Sequence, residues 1–154
     1  MSAKVEVGAI APEFTLKSQS GASISLGQFR DKKSVVLFFY PKDETPGCTA
    51  EACSFRDEYE SFNTAGAEVI GISSDSSDSH AKFADHHKLP MTLLSDPGGA
   101  VRARYGVKAT LGLFPGRVTF VIDRKGVVRH VFSSQLRATA HVKEALKVLQ
   151  SLPA

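Results

Sequence analysis

Two cysteines, Cys48 and Cys53, are the only thiols in this chain of 154 residues, and both fall in the segment PKDETPGCTAEAC that runs from Pro41 to Cys53. Pro46 and Gly47 signal a turn immediately before Cys48, which places that thiol at the start of a helix. Unpaired backbone N–H groups and the positive end of the helix dipole favour a thiolate there. A thiolate is a nucleophile. With a second thiol five residues on, the expected chemistry is oxidation of the first sulfur and its resolution by the second. Two cysteines in a chain this size do not make a disulfide framework.

The elements that must hold this segment are legible on either side of it. Ser34 to Tyr40, SVVLFFY, is β-branched and aromatic without alternation, the pattern of a central strand covered on both faces. Helical spacing runs from Cys48 to Phe62, with Ala52, Phe55, Tyr59 and Phe62 on one stripe and Gly66 as the stop. Glu68 to Ser73 is a second buried strand, and Ser76 to Lys88 a helix stopped by Pro90. Asp96 to Gly99 is a turn, and Ala100 to Tyr105 a short helix. Arg117 to Ile122 and Val127 to Phe132 are strands joined by a hairpin turn at Asp123 to Gly126. Ala138 to Leu149 closes the chain as an amphipathic helix. Upstream, Val5 to Leu16 is an extended entry with a turn, and a polar stretch leads to Ile24-Ser25-Leu26 as a short hairpin. This order predicts a single α/β domain over residues 1–154. Its mixed sheet is flanked by helices, a thioredoxin-like core with an N-terminal extension.

Composition excludes several classes. The net charge of +3 comes from 19 basic and 16 acidic residues, mixed along the chain, so no electrostatic footprint for nucleic acid is present. No apolar run approaches the roughly 20 residues of a membrane helix. The start, MSAKVEVGAIAPEF, has neither a signal-peptide core nor an Arg-rich presequence. The expectation is a protein that stays where it is made or one whose targeting segment is gone.

The residues Pro41, Thr45 and Cys48 resemble the peroxiredoxin motif Pro-x-x-x-Thr/Ser-x-x-Cys. The run FYPKDETPGCTAEACSFRD, together with APEFTL, GAEVIGIS, LPMTLLSD and PGRVTFVID, resembles the peroxiredoxin Q subfamily, also called bacterioferritin comigratory protein. The resemblance covers most of the chain. It implies that Cys48 is the peroxidatic thiolate, attacking hydrogen peroxide or an alkyl hydroperoxide, and that Cys53 resolves it as an intramolecular disulfide. Thr45 would hydrogen-bond thiolate and peroxide, and Pro41 would shield the sulfur. The N–H groups of Gly47 and Cys48 would donate to the peroxide oxygens. Arg117 would bring a fixed positive charge from a later strand. The resemblance further implies a monomer without cofactor, re-reduced by thioredoxin or, as a lesser case, glutaredoxin. It is compatible with a mature chloroplast form or with a bacterial or cyanobacterial cytoplasm, and the start AKVEVG favours the plastid.

Spacing adds a constraint. In a regular helix, residues i and i+5 have Cα atoms about 8.6 Å apart, beyond the limit of about 7 Å for a disulfide. Cys48 and Cys53 can bond only if the first helical turns unwind. Two rivals bear on the same thiols. A thioredoxin-type protein disulfide oxidoreductase would use Cys-x-x-Cys, which is absent. A copper- or zinc-handling module would need Cys48, Cys53 and a histidine. His80, His86 and His87 fall on one helix, with His80 and His87 the better-placed pair because adjacent rings diverge. With no carboxylate or cysteine at ligand spacing, they are expected to be surface histidines. Gly112, Pro115 and Gly116 form a loop without the Gly-Lys-Ser/Thr of a phosphate cradle.

Overall fold

A computed structural model describes residues 5–107, 117–133 and 138–152. Seven strands form one mixed sheet: β1 (Thr15–Ser18), β2 (Ser23–Ser25), β3 (Ser34–Phe39), β4 (Ala67–Ser73), β5 (Thr92–Ser95), β6 (Val118–Ile122) and β7 (Val128–Ser133). Their spatial order is β2-β1-β5-β4-β3-β6-β7. β3 lies parallel to β4 and antiparallel to β6, and β4 is parallel to β5. The helices are α1 (Pro46–Asp57), α2 (Tyr59–Thr64), α3 (Ser77–His87), α4 (Ala100–Arg104) and α5 (Ala138–Ser151).

The uninterrupted hydrophobicity of β3 has the expected cause. Val36 and Phe38 enter a core with Phe55 and Phe62 of α1 and α2, Phe83 of α3, and Val142 and Leu149 of α5. Val35, Leu37 and Phe39 enter the opposite core, closed by Phe14 and Leu26 from the N-terminal segment and by Val101 and Tyr105 around α4. The N-terminal segment is sewn to the β6–β7 turn through Gly8 N–H to Val128 O (2.8 Å) and Ala11 N–H to Gly126 O (2.9 Å). Gly126, at φ +84°, supplies the left-handed residue of that turn.

The bounds of the helix carrying Cys48 need correction. The helix expected from Cys48 to Phe62 starts earlier, at Pro46, and breaks at Glu58, whose φ/ψ of −103°/10° separates α1 from α2. Asp57 and Glu58 place two negative charges at the negative end of the α1 dipole, which disfavours continuation. The apolar stripe survives the break, because Ala52, Phe55, Tyr59 and Phe62 all meet the same core. β5 is an additional strand inside the sheet, between β1 and β4. Four residues, TLLS, are too few to show a period, and neighbouring strands decide their conformation. The hairpin near Ile24 is present as β1 and β2, with Leu26 turning into a short 3-10 helix (Leu26–Phe29). Ser76 caps α3 by accepting from Ser79 N–H at 3.1 Å.

Candidate active site

β3 delivers the chain to the site. Beyond Phe39, Tyr40 is buried, and residues 41–45 cross the sheet end to α1, where Pro46 occupies the first helical position. The first intrahelical bond runs from Thr49 N–H to Thr45 O at 2.8 Å. The N–H groups of Gly47 and Cys48 therefore precede the helical ladder and point out of the helix start. Cys48 is 1 % exposed and a free thiol. Cys53, also free and half-buried, lies further along the same α1. Both cysteines sit in one intact helix, the arrangement in which they cannot bond.

Arg117 reaches this sulfur from the residue preceding β6. Its Nη2 lies 3.5 Å from Cys48 Sγ, and its Nη1 donates to Glu51 Oε1 at 2.7 Å. All three side chains are buried. One guanidinium thus uses two prongs of its fork, one on the sulfur and one on a carboxyl that fixes its direction. Gly47 permits the approach: a Cβ there would stand 2.9 Å from Arg117 Nη2. Burial pushes the Glu51 carboxyl up to about 8, with Arg117 pulling the other way. Burial also works against the Arg117 charge, but Glu51 and Cys48 outweigh it and hold the guanidinium above its ordinary value. On the far side of Glu51, Oε2 lies 3.6 Å from Nδ1 of buried His141, whose same nitrogen is 2.7 Å from Thr119 Oγ1. A second arginine, Arg102 of α4, donates to Tyr40 O at 2.7 Å and stacks 5.6 Å over the Phe39 ring. Burial pulls its basicity down, while Asp96 and Cys48 push it back up, which places its charge within the field of the sulfur.

The structure brings Thr45, Gly47, Cys48 and Arg117 together at the helix start, with Pro41 leading into the loop. The Thr45 hydroxyl donates to Lys42 O at 2.9 Å and makes no cap bond to the helix. The loop containing Gly112, Pro115 and Gly116 lies outside the described residues. Glu51 and Arg102 are additions. Glu51 carried a signal: it stands one helical turn after Cys48 and next to buried Ala52. Arg102 carried none, because only the tertiary fold brings α4 under Tyr40.

The histidines differ from expectation. His80 is fully buried, not a surface group. Its Nε2–H donates to Leu94 O at 2.9 Å and its Nδ1 lies 2.7 Å from Asp43 Oδ2, so both nitrogens face oxygens. Asp43 also accepts from Tyr40 OH (2.6 Å) and Ser79 Oγ (2.8 Å). Burial opposes its charge, but the hydrogen bonds from His80 and Tyr40 win and hold its carboxyl below the ordinary range. His86 and His87 converge instead of diverging: they bracket Glu44 at 3.1 and 2.8 Å. The loop before Cys48 is therefore tied to α3 at two successive residues, by carboxylates that spacing along the helix could not reveal.

The AhpC/TSA family matches residues 7–131. The chain belongs to that family. It is 56 % identical over 151 residues to chloroplastic peroxiredoxin Q of Sedum lineare, covering 97 % of this chain and 81 % of the relative. Its identity to chloroplastic peroxiredoxin Q of Suaeda salsa is also 56 %, covering 97 % and 70 %. Among solved structures it superposes on peroxidoxin BcpB of Mycobacterium tuberculosis with a TM-score of 0.90 at 39 % identity, covering 97 % and 99 % of the two chains. The bacterioferritin comigratory protein of Xanthomonas campestris gives 0.84 at 28 %, covering 97 % and 98 %. With the family come the thioredoxin-like peroxiredoxin fold and thiol-dependent peroxidase chemistry. Among the described residues, no helix of this family member is long and apolar enough to cross a membrane.

Proposed function

We propose that this single-domain chain is a peroxiredoxin Q-type peroxidase in which Cys48 is the peroxidatic sulfur and Cys53 resolves it. The observation that carries the reading is the Arg117 fork, with one prong on Cys48 Sγ at 3.5 Å and the other on Glu51 at 2.7 Å. The guanidinium charge stabilises charge that develops along the breaking O–O bond. The sulfur attacks the nearer peroxide oxygen, the O–O bond breaks, and the departing oxygen leaves as water or alcohol after taking one proton. Gly47 and Cys48 N–H groups face the peroxide oxygens. Thr45 exchanges its bond to Lys42 O for one to the substrate, and Pro41 shields the sulfur. The product is a sulfenic acid at Cys48.

Resolution follows by attack of Cys53 on Cys48, forming S–S and releasing water. Because α1 holds the two Cα atoms about 8.6 Å apart, its first turns unwind for this step. The exposed disulfide is then reduced by a dithiol protein, thioredoxin before glutaredoxin, with two electrons restoring both thiols. The chain acts as a monomer, since both thiols belong to one helix. Similarity to relatives named as chloroplastic supports a plastid location. A thioredoxin-coupled assay tests the reading: the wild type turns over hydrogen peroxide, C48S does not, and C53S reacts once and stops. Full turnover by C48S, or continued turnover by C53S with thioredoxin, would overturn the assigned roles.

A further inference from the structure

Glu44, His86 and His87 make a second chemical centre, outside the sulfur site. Glu44 lies in the loop between β3 and α1, four residues before Cys48, in a left-handed conformation at φ +64° that is costly for a side chain of this kind. His86 Nδ1 is 3.1 Å from Glu44 Oε2, and His87 Nε2 is 2.8 Å from Oε1. The three potential ligand atoms lie within 4.8 Å of one another. Adjacent histidines on a helix point about 100° apart, yet these two meet. His86 uses its near nitrogen and His87 its far one, so unequal reach compensates for the divergence, and the rings close to 4.3 Å. The two imidazoles, His87 first, hold the Glu44 carboxyl below its ordinary range.

We propose that Glu44, His86 and His87 bind one divalent transition-metal ion of the Zn²⁺ class, and that the bound ion pins the Cys48 loop to the end of α3. Two imidazole nitrogens and one carboxylate oxygen are a ligand set suited to Zn²⁺, with metal–ligand distances of about 2.0–2.2 Å and a fourth position for water. Side-chain exposures of 67 % at His86 and 47 % at Glu44 leave an entry path. Metal binding replaces the two contacts to Glu44. The facing nitrogens give up any proton they carry, by tautomer shift or release, and present lone pairs to the ion. The other histidine–carboxylate group, Asp43, Asp75 and His80, offers no such room: His80 is buried and already engages Leu94 O through Nε2 and Asp43 through Nδ1. A metal at Glu44 links residues 42 positions apart in sequence. That cross-link restrains the backbone leading to α1.

The test removes the competing thiols first. Zn²⁺ is titrated calorimetrically into the full-length C48S/C53S protein, and amide hydrogen exchange of residues 42–48 is measured with and without the ion. The expected result is one Zn²⁺ per chain, binding weakened about tenfold or more by H86A, H87A or E44Q, and slower exchange across the loop only where the three ligands are intact. Absence of saturable binding, affinity in the three variants equal to that of the C48S/C53S parent, or binding without slowed exchange would overturn the proposal. Neither readout uses peroxide turnover, so the outcome is independent of the sulfur chemistry proposed above.

Discussion

At the scale of single residues, the site depends on a guanidinium that must be both charged and aimed. R117Q removes the charge and both prongs, and the rate of Cys48 oxidation in stopped flow is expected to fall about 10²–10³-fold, the range for losing a preorganised donor. R117K keeps the charge but cannot span Cys48 and Glu51 at once, so it should recover only part of the loss. G47A separates aim from stability. Its Cβ would stand 2.9 Å from Arg117 Nη2, the movable end of a side chain, so the guanidinium shifts and peroxide reactivity drops. The fold should tolerate the change, since alanine is the better helix former. A G47A protein with unaltered reactivity would show that the close approach of Arg117 is not needed. The segment around Cys48 was marked in the sequence by its resemblance to the peroxiredoxin motif. The partner that aims Arg117 carried only the signal of its place one turn after Cys48, and its burial beside the guanidinium comes from the fold.

At the scale of elements, the segment before Cys48 is held from both ends. Its downstream end is α1; its upstream end is tied to α3 through Asp43–His80 and Glu44–His86/His87. D43N leaves buried His80 facing a neutral amide, and weakening this buried hydrogen bond costs about 1–3 kcal/mol. Urea denaturation checks this, and a loss under about 1 kcal/mol would mean the pair is not a main tie of the loop. The elements themselves were largely visible in the sequence: β3, β4, the β6–β7 hairpin and α3 fall within a residue or so of their expected places. What escaped was decided by tertiary context. β5 is a strand because β4 and β1 flank it, and the helix after Cys48 breaks because Asp57 and Glu58 gather at its negative end. His80 was misplaced for a related reason: its burial follows from Asp43, 37 residues away in sequence.

At the scale of the whole molecule, the carboxyls of Glu51, Asp43 and Glu44 give stability a pH dependence with opposite signs at the two ends. Glu51 has a raised value in the folded state, about 8. Between the ordinary glutamate range near 4.3 and about 8, the folded state binds the extra proton, so this contribution is present below that range and is lost as pH rises through about 8. Asp43 and Glu44 are lowered in the folded state, so their contributions are present above the ordinary carboxylate range and are lost as pH falls through their folded values. Urea midpoints should therefore fall from about pH 5 to about pH 8, and E51Q should flatten that slope while leaving the acid limb unchanged. An unchanged alkaline slope in E51Q would assign it to another group. Proton linkage of this kind lies beyond sequence reading, because it depends on burial produced by α1, α5 and β6 together.

The central claim is that Cys48, and not Cys53, meets the peroxide. The direct measurement is peptide mass spectrometry on C53S treated with one equivalent of hydrogen peroxide and a sulfenic-acid trap. The predicted result is a single trapped adduct on Cys48, absent from C48S treated in the same way. An adduct on Cys53 in C48S, formed as fast as that on Cys48 in C53S, would contradict the account.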